Sequence, residues 1–245
     1  MLEMFDQASP RTRARITGLV YLMYFGLAIT GEVFLQQAGL STISPNSTDP
    51  AAMARDILGH QAALQTGVAL GLISVALYVA VTTLFYVIFR PVGRTIALLA
   101  LTSGLVAMAI TAMAAIFELG PLAILQSTST GLSAPELRAQ ALLLVQVGAQ
   151  VSPVSLVFSG VFQVLNGYLM FRSGFLPRVL GVLVAAAGLG WFVFLAPPVA
   201  NSLLTPLEVL GFLGEVPLML WLLTMGINSQ RWNERATANA AQSLA

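Results

Sequence analysis

Long apolar runs alternate with short polar segments along almost the whole chain, and this alternation predicts the fold. A helix needs roughly 20 mainly apolar residues to cross a membrane. Lipid offers the backbone no hydrogen bonds, and runs this continuously apolar lack the alternation of a barrel strand. We therefore predict an all-α fold, a polytopic membrane bundle of six transmembrane helices in one domain that covers residues 1–245. The six predicted spans are Ile16–Gln36, Leu64–Phe89, Thr95–Phe117, Val154–Phe171, Val179–Leu195 and Pro206–Ile227.

The arginines set the predicted orientation. The chain has 11 basic residues, all of them arginine, and if the six spans alternate, only Arg55 and Arg138 fall on one side. The side richer in arginine is cytoplasmic under the positive-inside rule. Both termini, residues 1–15 and 228–245, are therefore expected to be cytoplasmic tails. Five arginines near the span ends mark this side and are candidates for contact with lipid headgroups: Arg15, Arg90, Arg94, Arg172 and Arg178.

Two longer connections, both on the predicted outer side, carry the start signals of short surface helices. In "DPAAMARDILG", Asp49 has the position of an N-cap and Pro50 that of the first helical residue. In "SAPELRAQALLLVQVG", Ser133 and Glu136 have the spacing of a capping box. We predict one helix in each connection, the second leading into the fourth span with a kink or break at Pro153.

The composition agrees with a membrane protein and narrows the chemistry. Hydrophobic residues make up 57% of the chain and charged residues 9%, against about 25% charged in soluble domains. The net charge of +1 gives no field that would attract nucleic acid. The absence of cysteine excludes disulfides, iron–sulfur clusters and cysteine nucleophiles, and the single histidine excludes a histidine-rich metal site. No cofactor is expected.

Acidic side chains in or beside the predicted spans are the main candidates for function. Glu32 and Glu208 fall in the outer halves of their spans, Glu118 follows the outer end of the third span, and Glu215 lies near the membrane midplane on the same helix face as Glu208. A charge at that depth costs roughly 2.5–3.5 kcal/mol on insertion scales, so its retention suggests use. Together with polar stripes on the other helices, these acids would line a cavity open to the outside. The fourth span contributes Gln163 and Asn166 to that candidate cavity.

A structural interpretation competes with this one. Small residues let membrane helices approach closely, and their polar side chains then bond across the contact at about 0.6 kcal/mol each. Glu215 would be a neutral carboxyl that bonds the carbonyl of Leu213, which Pro217 leaves without its helical partner. His60, with Glu32, Glu118 and Glu208, could form a carboxylate-rich Zn²⁺ or Mn²⁺ site, although no two of these residues have a local ligand spacing; a solvated or capping histidine is the alternative.

Three functions remain open from the residues alone. The first is a membrane protein that binds or transports a small molecule or ion through an outward-facing polar cavity. The second is an accessory protein that packs with a membrane partner or with a second copy of itself. The third is a membrane-embedded enzyme that modifies lipids, although no hydrolase elbow, phosphate loop or zinc-protease signature occurs. Membrane lipids are the one partner expected in every case.

Several segments resemble a known family. They are "RARITGLVYLMYF", "FRPVGRTIALLALTSGLV", "GYLMFRSGFLPRVLGVLVAAAGLGW" and "GEVPLMLWLLTMGI", in this order along nearly the whole chain. They are similar to a bacterial integral-membrane family known as domain of unknown function 4386, and "RSGFLPRVLG" is the most specific of them. The resemblance implies a small multi-pass protein of the bacterial cytoplasmic membrane. It implies no activity.

The orientation can be tested with reporter fusions along the chain. Because the arginine pattern predicts alternating spans, fusions after Ser44, Ser129 and Asn201 should report the periplasm. Fusions after Gly93, Gly174 and Ala245 should report the cytoplasm. A cytoplasmic signal at Ser129 would contradict the six-span topology.

Overall fold

The structure, a computed structural model, describes residues 8–41, 48–128 and 131–242. Ser44, Ser129 and the outermost residues of both predicted tails lie outside these ranges. Within them the chain forms ten α-helices and one 3₁₀ helix, and no β-strand. In chain order these are α1 (Pro10–Gln37), α2 (Pro50–Gly59), α3 (Gln61–Phe89), α4 (Arg94–Leu125), α5 (Ala134–Gly148), α6 (Val151–Ser173), α7 (Arg178–Trp191), the 3₁₀ helix Phe192–Leu195, α8 (Pro197–Ser202), α9 (Leu204–Thr224) and α10 (Ser229–Gln242).

Among the described residues, six helical segments are long and apolar enough to cross a membrane, which confirms the all-α class and the count of six. They are α1, α3, α4, α5 continued by α6, α7 with the 3₁₀ helix, and α9. The helices extend past the predicted apolar runs, most clearly at α4, which continues beyond Phe117 through Pro121 to Leu125. Hydropathy marks the part of a helix that suits lipid, whereas the backbone hydrogen bonds continue into more polar residues.

Both surface helices begin at the predicted caps. The carboxylate of Asp49 accepts hydrogen bonds from the N–H groups of Ala51 at 3.0 Å and Ala52 at 3.2 Å. At the start of α5, Glu136 accepts from the backbone N–H of Ser133 at 2.7 Å and from its hydroxyl at 2.6 Å. These bonds satisfy donors that a helix leaves without partners at its first turn.

The break before the fourth span is real, but its predicted position is wrong. Helix α5 ends at Gly148 and α6 begins at Val151, so the interruption lies at Ala149 and Gln150. Pro153 is the third residue of α6. A residue in the first helical turn has no intrahelical acceptor for its N–H, so proline is accommodated there without the loss of a hydrogen bond.

The helices group into two compact units. Unit 1 contains Met1–Leu22, Leu77–Ala107 and Leu156–Ala245, and unit 2 contains Met23–Ala76 and Met108–Ser155. In unit 2, α1 meets α3 at glycine: a Cβ atom on Gly67 would lie 2.9 Å from the carbonyl oxygen of Gly31. Helix α2 packs against α5. The buried core of unit 2 consists of Leu35, Ala38, Leu40, Met53, Ile57, Leu64, Val68, Leu122, Ala141 and Leu142.

In unit 1, α6 and α7 approach each other closely at two levels. A Cβ atom on Gly167 would lie 2.6 Å from the carbonyl oxygen of Gly181, and one on Gly160 would lie 2.7 Å from that of Gly188. Helix α9 also approaches α7, because a Cβ atom on Gly214 would lie 2.6 Å from that of Ala187. Small residues at these points bring the helix backbones together, as membrane helix packing requires.

Buried aromatic rings fill another part of unit 1. Neighbouring ring centroids lie 5.8 to 6.1 Å apart, mostly edge-on or tilted. Such pairs contribute about 0.5–1.5 kcal/mol each beyond the burial of their area. The rings belong to Tyr21, Tyr78, Phe85, Phe89, Phe162 and Phe175.

The C-terminal tail contains α10, which bonds to the ends of other helices. The indole N–H of Trp232 donates to the carbonyl of Ile88 at 2.9 Å, near the end of α3. At the other end of the chain, Arg15 donates to the carbonyl of Thr224 at 2.9 Å, where α9 ends. Gly226 follows with a φ of 69°, a left-handed conformation that terminates helices. Carbonyls in the last turn have no helical partner, so these side chains supply the missing donors.

The glycine contacts predict different outcomes for two alanine substitutions. In Gly181→Ala the new Cβ would lie 2.6 Å from the Gly167 carbonyl and 2.8 Å from the Phe171 nitrogen. Neither backbone atom can rotate away, so α6 and α7 must separate, at a typical overpacking cost of about 1–3 kcal/mol. We expect the melting temperature in detergent, followed by tryptophan fluorescence, to fall.

Gly71→Ala is the matched control for this substitution. Gly71 is also helical, but a Cβ there would meet nothing within 4 Å. Its melting temperature should stay the same or rise slightly, because alanine favours a helix over glycine. Equal losses in the two variants would show that close approach at Gly181 does not hold α6 and α7 together.

Candidate functional site

A small cavity in unit 2 contains one of the acids named from the sequence. Glu118 of α4 lines it, and the cavity volume is about 30 Å³. Its walls come from the end of α1, from α4, and from the junction of α5 with α6, where the interruption of the helix leaves space. The lining residues are Leu35, Leu40, Ser41, Ala114, Phe117, Glu118, Val145, Gly148, Ala149 and Ser152.

Glu32 lies beside this cavity and is held in place. Its Oε1 atom accepts hydrogen bonds from the hydroxyl of Ser41 at 3.1 Å and from the side-chain amide of Gln36 at 3.2 Å. Its charge is near enough to interact with that of Glu118. Two carboxyl groups from different helices are thus brought together at one cavity, with no arginine or histidine among the lining residues.

Glu118 differs from Glu32 in its surroundings. Within the described ranges no side chain or backbone group donates a hydrogen bond to Glu118, although its side chain is partly buried. The carboxylate oxygens of Glu118 therefore remain available to a group inside the cavity.

Glu215 lies in unit 1, in a network that links several helices. Its Oε1 atom accepts from the side-chain amide of Gln163 at 2.6 Å, and it is also hydrogen-bonded to Tyr21. The carbonyl oxygen of Gln163 accepts from the indole N–H of Trp191 at 3.1 Å. Gly211 makes room for this indole, because a Cβ there would lie 2.6 Å from the ring. Glu215 thus bonds to side chains of α1 and α6. The structural interpretation had instead expected it to bond the carbonyl of Leu213.

Asn166 and Glu208 lie apart from this network. The amide of Asn166 donates to the carbonyl of Phe162 at 2.9 Å, one turn earlier in α6, and the side chain is buried. Glu208 is half-buried on α9 and makes no hydrogen bond to another described side chain. Neither residue is a member of the Glu215 chain of hydrogen bonds.

His60 is exposed, and its Nδ1 atom lies 3.0 Å from the carbonyl oxygen of Asp56. This is the position of a residue that caps α2. Across the part of the chain that the structure describes, no three histidine or acidic side chains are grouped so that they could hold a metal ion.

The five arginines named from the sequence occupy helix ends and turns in unit 1. Arg15 bonds the end of α9, while Arg172 donates to the hydroxyl of Tyr168 at 2.9 Å. The guanidinium of Arg178 lies over the ring of Phe171, 5.5 Å from its centroid. Arg90 and Arg94 are exposed at the turn between α3 and α4.

Sequence reasoning missed several residues of the Glu118 cavity and of the Glu215 network. Tyr21, Trp191 and Ser41 are not among the candidate residues named from the sequence. A tyrosine or tryptophan that faces a buried acid has the same sequence signature as one that faces lipid. The pairing depends on helices far apart in the chain, so no local spacing indicates it.

Two substitutions at Glu215 test what its network contributes. Glu215→Leu removes the acceptor used by Gln163 and Tyr21, and hydrogen bonds between membrane helices contribute about 0.6 and at most about 1.7 kcal/mol each. We expect its free energy of unfolding to fall by about 1–2 kcal/mol. Glu215→Gln keeps one acceptor and should retain most of the stability, since the hydroxyl of Tyr21 can rotate to accept from the new amide.

Glu208→Leu is the control, two turns earlier on the same helix face and without a bonded side-chain partner among the described residues. It should change stability by less than about 0.5 kcal/mol. A leucine variant at position 215 as stable as the wild type would show that the network contributes nothing. A glutamine variant that misfolds would show that assembly needs the charge itself.

The comparisons with known proteins identify a family and nothing more specific. Residues 16–226 match the model of the family described as domain of unknown function 4386, which includes most or all of each of the six spans. No curated protein and no solved structure matches the chain. The match confirms the resemblance of the segments and, with the six apolar helices, indicates a multi-pass membrane protein. Because it covers most of the sequence, the chain belongs to the family described as domain of unknown function 4386.

Proposed function

We propose that this multi-pass membrane protein binds a monatomic cation or a proton at the cavity beside Glu118. The proposal rests on one observation: Glu118 lines a cavity while no described residue donates a hydrogen bond to it. An ionisable group within a membrane-spanning helix is costly and usually faces a water-filled path or a ligand. A cation in the cavity would supply the electrostatic partner that Glu118 otherwise lacks.

The size of the cavity narrows the class of ligand. A water molecule needs about 10–15 Å³ of such space, so a cavity of about 30 Å³ accommodates about two waters or one small ion with a water. Pockets for organic ligands are far larger, about 300–1,000 Å³. The dimensions therefore favour a proton or a monatomic ion over an organic substrate.

The donor atoms around the cavity suit a hard cation. Carboxylates and hydroxyl groups are oxygen ligands, which Na⁺, Mg²⁺ and Ca²⁺ prefer. Glu118 and Ser152 line the cavity, and Glu32, bonded to Ser41, adds a second acid beside it. No sulfur or imidazole ligand is among the lining residues, which argues against a soft metal.

The arginine distribution supports a location for this site. With both termini in the cytoplasm, Glu32 and Glu118 fall near the outward ends of α1 and α4. The cavity would then open towards the outer side of a bacterial cytoplasmic membrane. Binding at that side fits a protein that takes up, exchanges or senses an external cation.

Glu118→Gln tests the proposal, because it removes the charge and keeps the size of the side chain. Melting temperature would be measured in detergent with Na⁺, K⁺, Mg²⁺ or Ca²⁺ against N-methylglucamine at constant ionic strength, and over a pH series. An ion at about 100 times its Kd adds about 2.7 kcal/mol to the stability of a protein that binds it. We expect the wild type to gain from one of these ions, or from lower pH if the ligand is a proton, and the variant to lose that gain.

Glu136→Gln is the matched control for loss of a negative charge in unit 2. Glu136 is exposed, and glutamine also fits its place in the capping box. This variant should respond to ions as the wild type does. If Glu118→Gln responds to every ion and to pH as the wild type does, the cavity is not a cation or proton site.

A further inference from the structure

Four exposed arginines surround the turn between α6 and α7. Two lie at the ends of the turn, and two reach it from α10. Arg231 donates to the carbonyl of Gly174 at 2.8 Å, and Arg235 donates to the carbonyl of Arg172 at 3.1 Å. We call this set the arginine turn: Arg172, Arg178, Arg231 and Arg235.

Two of the guanidinium groups are oriented by aromatic rings. Arg172 lies 5.8 Å from the centroid of the Tyr168 ring and donates to its hydroxyl, and Arg178 lies 5.5 Å from the centroid of the Phe171 ring. A guanidinium group has five N–H donors in one plane. Contact with a ring, together with one hydrogen bond in the case of Arg172, leaves several donors of each group for other partners, in the fork geometry that binds phosphate.

The positive charge of the arginine turn is not balanced by acids. Each hydrogen-bond partner given above for these arginines is a neutral carbonyl or hydroxyl group. Glu234 is the acid next to the set in sequence, and its carboxylate accepts from Gln230 at 3.1 Å. In the described part of the chain no carboxylate bonds any of the four arginines. The C-terminal end of α6 adds only about half a negative charge.

Apolar side chains next to the arginine turn are exposed, as expected where a protein contacts lipid. Phe171 has 46% of its surface exposed and Val179 has 60%. Both are adjacent in sequence to an arginine of the set. A ligand with a phosphate group at one end and acyl chains at the other matches this juxtaposition of charge and apolar surface.

We propose that the arginine turn binds the phosphate of an anionic phospholipid headgroup. Arg172 and Arg178 donate to the phosphate oxygens, and the acyl chains lie against Phe171 and Val179. Arg231 and Arg235 hold α10 at the turn and add to the positive field. This site is in unit 1 and does not depend on the cation cavity of unit 2.

The test uses the full chain in detergent, titrated with phosphatidylglycerol or with phosphatidylcholine. Bound lipid would be counted by native mass spectrometry, and stability would be followed by melting temperature. The wild type should bind phosphatidylglycerol in preference, and the preference should weaken at about 1 M NaCl, where the Debye length is about 3 Å. The double variant Arg172→Gln with Arg178→Gln should bind it about 30-fold more weakly, as expected for two arginines near an anionic lipid.

The control removes two arginines at the other predicted face of the membrane, Arg55→Gln with Arg138→Gln, both exposed in unit 2. It should keep the wild-type preference, and equal melting temperatures in phosphatidylcholine would show that both variants fold. Three results would each overturn the proposal: no preference for phosphatidylglycerol in the wild type, the same loss in the control, or full stabilisation by inorganic phosphate alone. If the double variant fails to fold, the wild type alone still tests the proposal, which requires a preference for phosphatidylglycerol that weakens at high salt.

Discussion

Contact between backbones at glycine is the interaction on which the helix arrangement of unit 1 depends. Lipid is as apolar as a leucine side chain, so membrane helices gain little from burying leucine. They gain stability from close approach of their backbones, which glycine pairs allow between α6 and α7. A Cβ atom added to one of these glycines would lie only 2.6 or 2.7 Å from the facing carbonyl oxygen. Gly211 of α9 leaves space for the indole of Trp191, whose N–H then reaches Gln163. The hydrogen bonds of Glu215 therefore follow from the same packing.

The acids in the apolar helices differ in their hydrogen-bond partners. This difference distinguishes acids with a structural role from the acid that is a candidate for ligand binding. Glu215 has two side-chain donors, and Glu32 is held by Ser41 and Gln36. Each of these acids has a polar surrounding that offsets the cost of its position. Glu118 instead lines a cavity without a described donor. This is why Glu118, and not Glu215, is the acid of the proposed ligand site.

Features that depend on a few consecutive residues were predictable from the sequence, and those that depend on distant helices were not. The six spans follow from length and hydropathy, and the caps at Asp49 and Ser133 from patterns within four residues. The sequence drew attention to Glu118 and Glu215 because acids are rare in spans. It could not indicate that Tyr21 faces Glu215 or that the break at Ala149 opens a cavity beside Glu118, because both depend on how helices pack.

Every basic residue of the chain is arginine, and the contacts at the arginine-rich end of unit 1 give a physical reason for this choice. Helices α3, α6 and α9 end in this region, and the carbonyl groups of their last turns need hydrogen-bond donors. Arg15 and Arg235 donate to such backbone carbonyls, while Arg172 and Arg178 lie against aromatic rings. A lysine ammonium has one compact charge, whereas guanidinium can bond a carbonyl with one edge and keep other donors free. Arginines at this end of unit 1 thus bond helix ends or lie against rings with one part of the guanidinium plane, and the remaining donors of Arg172 and Arg178 are those that we propose bind headgroup phosphates.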